Sequence, residues 1–306
     1  MPDTKLFRLD QNQEYCEIPG QDVRLEKELQ SRIEANMDTL LGVRFLASEY
    51  STGREHGGRI DSLGLDENNC PVILEYKRST GESVINQGLF YLDWLMNHQA
   101  QFQLLVQTKL GAKVAEQLDW SSPRLLCIAG GFTRYDEYAV KQIDRNIDLL
   151  RYTSFGPDLL MLELVNASTA SIAKPNPDKQ GKRKTAVGYK TVSDTILQLD
   201  KERTQLLGDL RNLLQTFGDD VQEKTLQLYL AFKRIRNFVC VEVKPSKGVL
   251  TLYLRLNPDD FQAEEGFSRD VRNIGHWGSG DLEITLATQA DLIRAEPLLR
   301  ASYANS

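Results

Sequence analysis

The sequence predicts an α/β domain built on a mixed sheet flanked by helices, followed by a smaller α+β domain, and three observations carry that expectation. The chain has 306 residues, more than one compact domain usually holds, so two cores are expected. In its first half, apolar segments of helical period alternate with short leucine-rich or β-branched runs, as helices flanking a sheet do. Between the halves, residues 167–192 lose apolar periodicity and gain Ser, Thr, Pro, Lys and Gly, which is how a linker reads. The expected division is therefore 1–166, 167–192 and 193–306.

The first domain opens with a helix over Leu25 to Leu41, in which Leu25, Leu29, Ile33, Met37 and Leu40 recur at helical spacing. Strands are expected at Val43–Glu49, Arg59–Leu65 and Pro71–Lys77, the last reading as a central strand. A helix over Glu82 to Asn97, a strand at Phe102–Gln107 and a helix near Val114 follow. Strands at Arg124–Ile128, Leu149–Thr153 and Leu159–Val165 complete the sheet. The second domain is expected to begin with helices over Val192–Phe217 and Val221–Arg234. Strands Phe238–Val243 and Val249–Leu256 then flank a PSKG turn, and a helix spans Gln289–Tyr303.

Composition bounds the function classes. Hydrophobic residues make up 41% and charged residues 26%, as in ordinary soluble proteins. No stretch approaches the roughly 20 apolar residues that span a bilayer, and MPDTKLFRLDQNQEY is too polar for a secretory signal. A cytoplasmic protein with no membrane partner is expected. The four cysteines are scattered and there are only three histidines, so no zinc site is suggested and the thiols are expected to be reduced. The formal net charge of −6 argues against coating nucleic acid by bulk electrostatics. Residues 1–166 carry 17 basic and 25 acidic side chains, 167–192 carry 6 and 1, and 193–306 carry 14 and 17. Lys182, Arg183 and Lys184 in the basic segment are candidate phosphate contacts, although such runs are more often solvated tethers.

Chemistry concentrates in GGRIDSLGLDENNCPVILEYKRS. On a strand over Pro71–Lys77, Ile73, Glu75 and Lys77 share one side and Val72, Leu74 and Tyr76 the other. A short turn through Asp66–Asn69 pairs this strand with its predecessor and brings Asp61 within reach of Glu75. Two acids and a lysine at the end of an apolar strand are costly to bury unless they bind something. A hard divalent cation such as Mg²⁺ fits, because it takes oxygen ligands and keeps water and phosphate in its shell. Asp61 and Glu75 would then hold the metal, and Lys77 would position a water or stabilise developing charge. On the preceding helix, Glu26 falls on the core-facing stripe and is a candidate supporting ligand or general base. Gln87 and Tyr91, four apart on the next helix and sharing a face with Trp94, are placed to lean over the site, although aromatics at that spacing are usually core.

The pattern D-(13 residues)-E-x-K followed by Q-x-x-x-Y resembles the PD-(D/E)XK nuclease superfamily, particularly its RecB-like branch and the nuclease domain of archaeal mismatch-directed endonucleases. The matching residues are Asp61, Glu75, Tyr76, Lys77, Gln87 and Tyr91, with Glu26 and Leu29 matching the E-x-x-L of the first family helix. Ile60 stands where the family often has proline. Over roughly residues 24–131 the resemblance implies a restriction-endonuclease-like αβββαβ core and Mg²⁺- or Mn²⁺-dependent phosphodiester hydrolysis. It implies catalytic roles for Asp61, Glu75, Lys77, Glu26 and Gln87, and a metal held by Asp61, Glu75 and Tyr76. Tyr91, Arg78, Lys182, Arg183 and Lys184 are the expected substrate contacts. In the second domain, GFSRDVRNIGHWGSGDLEI offers glycines that permit a tight path around His276 and Trp277, as a turn or a stacking site. Residues 194–306 resemble a C-terminal domain catalogued as a predicted transport protein, with no membrane span here to support transport.

The expectation is a metal-dependent deoxyribonuclease, an endonuclease, with DNA as partner and RNA left open. The second domain would choose substrate or a protein partner, and a homodimer is left open. The rival is a nuclease-fold module that binds nucleic acid or protein without cutting, which the acidic balance of residues 1–166 favours.

Overall fold

The structure is a computed structural model of the chain, and it describes residues 4–11, 13–21, 25–78, 84–168, 191–276 and 278–306. The chain divides into two compact units, Met1–Ala170 and Ser171–Ser306.

The first unit runs β1 (Leu6–Leu9), β2 (Tyr15–Ile18), β3 (Gly20–Gln21), α1 (Glu26–Ala35), α2 (Met37–Leu41), β4 (Val43–Ser51), α3 (Gly53–His56), β5 (Arg59–Asp66) and β6 (Pro71–Lys77). It continues with α4 (Val84–Asn97), α5 (Gln99–Leu110), α6 (Ala112–Glu116), β7 (Arg124–Ala129), α7 (Arg134–Lys141), β8 (Asn146–Phe155) and β9 (Leu159–Ser168). Apart from the β1–β2 hairpin, the strands form one mixed seven-stranded sheet in the order β3-β8-β7-β6-β5-β4, with β9 also on β8. The strands β4, β5 and β6 are antiparallel, whereas β6, β7 and β8 are parallel. The succession α1, β4, β5, β6, α4, β7 is the αβββαβ order that the resemblance implies, with α2, α3, α5 and α6 inserted.

The strand β6 lies between β5 and β7 with both faces covered, and its residues from Pro71 to Tyr76 are buried. That explains its continuous apolar reading, and it makes Glu75 an exception that needs a reason. The β5–β6 turn is set by Asp66, whose Oδ1 accepts from the N–H groups of Asn68 (2.8 Å) and Cys70 (2.9 Å). Asn69 takes the left-handed conformation at φ 59°, which Asn tolerates.

Several expectations are corrected. The helix over 25–41 is two helices that break at Asn36, and Leu25 is exposed, so the buried stripe is Leu29, Ile33, Met37 and Leu41. The segment Phe102–Gln107 is helix α5, not a strand. Phe102 and Val106, four apart, form its buried face while Leu104 points to solvent. So short an apolar run does not separate the two periods. The helix α7 escapes an apolar-period search, yet Thr133 and Asp136 form a capping box that marks its start.

The second unit contains α8 (Val192–Ile196), α9 (Lys201–Gln215), β10 (Gln222–Thr225), β11 (Leu230–Lys233), β12 (Asn237–Lys244), β13 (Val249–Leu254), β14 (Ser268–Asp270), β15 (Leu282–Leu286) and α10 (Gln289–Ala304). Its sheet is antiparallel throughout, in the order β10-β11-β12-β13-β15-β14. Leu206, Leu210 and Leu214 of α9 and Leu292 and Leu299 of α10 share a core with alternate residues of the strands. The expected helix over Val192–Phe217 is interrupted before Asp200, which caps α9. The expected helix over Val221–Arg234 is the β10–β11 pair, with Gln222 opposite Lys233. Pairing of β11 with β12 overrides the helical spacing there. Among the described residues no helix is long and apolar enough to cross a membrane.

At the start of β7, Arg124 is buried and donates to Asp148 Oδ2 (2.6 Å) and Asp66 Oδ2 (3.4 Å), both also buried. Arg124→Ala removes the cation from two buried carboxylates and is expected to cost about 3–5 kcal/mol. Urea unfolding followed by circular dichroism measures this, and a loss below roughly 1 kcal/mol, the scale of an exposed ion pair, would show that this triad does not hold β5, β7 and β8 together.

Candidate active site

The strands β5 and β6 are in register with Ser62 opposite Leu74. One step further along come Asp61 and Glu75, while on the other side of β6 Glu75 lies beside Cys127 and Lys77 beside Ala129 of β7. The two acids are held reciprocally. The Asp61 N–H donates to Glu75 Oε1 (3.2 Å), and the Tyr76 N–H donates to Asp61 Oδ2 (3.0 Å). Glu75 is completely buried, and among the described residues its Oε2 has no hydrogen-bond partner.

The electrostatics follow from that geometry. Burial, reinforced by the charge of Asp61, pushes the Glu75 carboxyl from the ordinary 4.5 up to about 9. Burial also raises Asp61, against the opposing pull of the Tyr76 N–H and Lys77. At neutral pH Glu75 therefore carries a proton, and the pair shares less than its full charge.

The helix α1 supplies the remaining contacts. Lys77 Nζ sits 3.2 Å from Glu26 Oε1, and Glu26 Oε2 accepts from the Arg78 N–H (3.2 Å). Glu26 is thus a half-exposed clamp on the end of β6, at the first residue of α1, and not a member of the buried stripe. Arg78 is held by its main chain, since its carbonyl also accepts from the Tyr152 hydroxyl (2.8 Å) while the side chain is exposed. The Tyr76 side chain is spent in the interior. Its hydroxyl lies 3.2 Å from Ser62 Oγ, which donates to Glu34 Oε1 (2.6 Å), and burial pushes its pKa well up. Only the main chain of Tyr76 borders the acids.

The helix α4 contributes less directly than the sequence suggests. Tyr91 is buried, and its hydroxyl accepts from the Arg59 N–H (3.2 Å) at the entrance to β5. A Cβ on Gly58 would stand 2.7 Å from the Tyr91 ring, so glycine is what lets the ring approach. Gln87 is half-buried, and no hydrogen bond among the described residues joins it to Asp61, Glu75 or Lys77. Trp94 is a core aromatic stacked on His98 with centroids 4.8 Å apart. Lys182, Arg183, Lys184 and Trp277 lie outside the described residues. In the second unit His276 stacks on Tyr253 (4.3 Å), whose hydroxyl donates to Glu242 Oε2 (3.0 Å). Gly280, at φ 134°, approaches the Tyr253 and Leu254 backbone so closely that a Cβ would meet it at 2.7 Å.

Sequence reading missed Gln30 and Glu34. Gln30, buried on α1, donates to the Asp61 carbonyl at 2.7 Å and to Glu34 Oε1 at 2.9 Å. Glu26, Gln30 and Glu34 recur every fourth residue, a polar seam beside the apolar stripe, and that spacing was the available signal.

Among the described residues no group of three or more His, Cys, Asp or Glu side chains is arranged to hold a metal ion. What is present is a pair of carboxyl groups, one with an unsatisfied oxygen. Such a pair fits a hard cation that takes few protein oxygens and completes its shell with water and phosphate.

Residues 192–306 match the family model described as "Domain of unknown function (DUF5655)". An uncharacterized protein of Haemophilus influenzae is 27% identical over 288 residues, covering 92% of this chain and 93% of its own. Two solved structures resemble part of the chain. One is the EndoMS–dsDNA2 complex, at 19% identity over 43% of this chain and 47% of that one, with a TM-score of 0.29. The other is a repair endonuclease from Pyrococcus abyssi, at 16% identity over 49% and 67%, also with a TM-score of 0.29. The chain spans about half the length of the EndoMS chain it matches, and a likeness at this TM-score carries no argument about fold or function.

The raised Glu75 pKa makes stability pH-dependent. A carboxyl that holds its proton more tightly when folded contributes fully below its unfolded value of 4.5, and the contribution is lost as pH climbs toward about 9. In metal-free protein the stability is expected to fall across that window with a slope approaching about 1.4 kcal/mol per pH unit from this group. Glu75→Gln should flatten the fall. Urea unfolding at intervals between pH 5 and pH 9 reads both, and equal slopes in the two proteins would contradict the assignment.

Proposed function

We propose that the first unit is a metal-dependent nuclease hydrolysing phosphodiester bonds in DNA, with Asp61 and Glu75 as the cation ligands and Lys77 as the charged group toward the reacting phosphate. The observation that carries this reading is the completely buried Glu75, whose Oε2 has no partner among the described residues, beside Asp61 and at the end of the strand that ends in Lys77. Burying an acid in that state costs stability, and the one main-chain donor, the Asp61 N–H to Oε1, offsets only part of it. The αβββαβ order and the E-x-K spacing of the PD-(D/E)XK superfamily support the same reading.

A divalent cation bound by Asp61, Glu75 and the main chain of Tyr76 supplies Lewis acidity toward a phosphate oxygen and toward the attacking water. The residues of the chain do the rest. The Tyr76 N–H keeps Asp61 Oδ2 oriented, and the Asp61 N–H does the same for Glu75 Oε1. Glu75 gives up its proton to become a ligand, which couples binding to pH. Lys77, whose Nζ lies 3.2 Å from Glu26 Oε1, turns its ammonium toward the negative charge that grows on the phosphate oxygens. Water oxygen bonds to phosphorus and releases its proton to solvent, the bond from phosphorus to the leaving sugar oxygen breaks, and that oxygen takes a proton from solvent. In this reading Gln87 and the exposed Arg78 side chain are the substrate contacts, and the second unit selects substrate or partner. An endonuclease needs no free end, so a covalently closed circle is a substrate.

The second reading is a module that binds without cutting, favoured by the 17 basic against 25 acidic side chains of residues 1–166. Incubation with single-stranded, double-stranded, mismatched and circular DNA and with RNA, in Mg²⁺, Mn²⁺ or EDTA, separates the two. Cleavage of DNA that EDTA abolishes is expected, together with loss of cleavage in Asp61→Asn and Glu75→Gln. Lys77→Ala should lower the single-turnover rate by about 10²–10³-fold with little change in binding. Binding without cleavage in any metal, or full cleavage by Glu75→Gln, would favour the second reading or remove the site.

A further inference from the structure

The polar seam of α1 ends on the candidate site from behind. Gln30 is 3% exposed and carries a side-chain amide with two protons. Three acceptors surround its Nε2, namely the Asp61 carbonyl at 2.7 Å, Glu34 Oε1 at 2.9 Å and Ser48 Oγ at 3.2 Å. Its Oε1 accepts from Lys27 Nζ at 3.1 Å. The shortest of the four contacts is the one to Asp61.

That contact completes the restraint of one residue. The Asp61 N–H is committed to Glu75, its carboxylate to the Tyr76 N–H, and its carbonyl to Gln30. Without the last, the peptide between Asp61 and Ser62 keeps its place in the strand through pairing with β4 and β6 but loses the donor that fixes its carbonyl, and the aim of the carboxylate is less tightly set. The neighbouring links reinforce the same end of the sheet. Glu34 receives the Ser62 hydroxyl, and Ser62 meets the Tyr76 hydroxyl, so the two strands bearing the acids are both tied to α1. A ligand misplaced by about 1 Å loses much of its value in a site that depends on orientation.

We infer that Gln30 is a positioning residue that sets the Asp61 carboxylate for cation binding, an inference that rests on the proposed role of Asp61 and Glu75. Gln30 touches no reacting atom and acts only through the Asp61 main chain.

The test uses the full chain and Mn²⁺ alone, reading the rise in Tm that a ligand of the folded state produces. Gln30→Leu removes the donor, and Gln30→Glu sets a carboxylate against a carbonyl. Each is expected to raise the Mn²⁺ concentration for half of the stabilisation by roughly 10–100-fold, the usual effect of losing a group that orients a metal ligand. Gln30→His, which restores an N–H at similar reach, should recover most of it. Ser48→Ala, which leaves the Asp61 contact in place, should leave the Mn²⁺ dependence unchanged. An unchanged midpoint in both Gln30→Glu and Gln30→Leu, while Asp61→Asn shifts it, overturns the inference and leaves the metal site standing. So does a shift in Ser48→Ala equal to that of Gln30→Leu, because general packing of α1 would then be the cause. If Gln30→Leu does not fold, the comparison of Gln30→Glu with Gln30→His decides. No Mn²⁺ stabilisation of the wild-type protein overturns the proposed site and this inference together.

Discussion

A carboxyl group buried in the middle of a sheet, with one oxygen unsatisfied among the described residues, is the constraint around which the first unit is arranged. Glu75 is on the central strand, covered on both faces and beside Cys127 in the parallel neighbour. Water cannot repay the lost solvation there. The fold therefore keeps Glu75 protonated near neutrality and gives it one main-chain donor, the Asp61 N–H. A strand chosen for stability alone would carry an apolar residue at that position, as it does at Ile73 two residues earlier. The departure from the apolar pattern is local, which is typical of sites where function overrides packing.

The surroundings limit how far that cost spreads. At the opposite end of the same strands, Arg124 joins Asp66 and Asp148 in a buried, charge-paired cluster that fixes the relative positions of β5, β7 and β8. At the Glu75 end, α1 does equivalent work with Glu26, Gln30 and Glu34 against Lys77, Asp61 and Ser62. The acids thus sit between two sets of polar ties. Tyr91 adds a third restraint at the entrance to β5, through the Arg59 N–H and the close approach that Gly58 allows. Catalytic geometry built on strands, with its supports on helices, is more precise than the same groups on loops.

How much of this was legible in the sequence depended on whether a residue's role was local. The strand β6 was readable to its ends, because Pro71 opens a run of apolar residues that closes on Lys77. The pairing of Asp61 with Glu75 followed from a period of two and a turn whose Asp66 and Asn69 have the chemistry turns need. Tyr91 was readable as a conspicuous aromatic, but its burial and its bond to Arg59 depend on Gly58, far away in sequence. Gln30 and Glu34 were missed because a helix is searched for its apolar stripe, and a polar residue beside that stripe looks like surface until the opposing strand is known. The segments Phe102–Gln107 and Val221–Arg234 were misread in opposite directions, the first because so short a run satisfies both periods and the second because strand pairing overrides its helical spacing. In the second unit, Gly278 and Gly280 were seen as turn residues, and the contact they serve, a loop pressed on Cys240 and Tyr253, was not derivable from spacing.

If Asp61 and Glu75 hold a divalent cation, as proposed, Glu75 must lose a proton to do so. Calorimetric titration of the metal-free protein with Mn²⁺ at pH 7, repeated in buffers of different ionisation enthalpy, measures both the binding and the protons released. One bound cation with close to one proton released is expected, with loss of both in Glu75→Gln. Binding with no proton released, binding that survives Glu75→Gln, or no binding at all would contradict it.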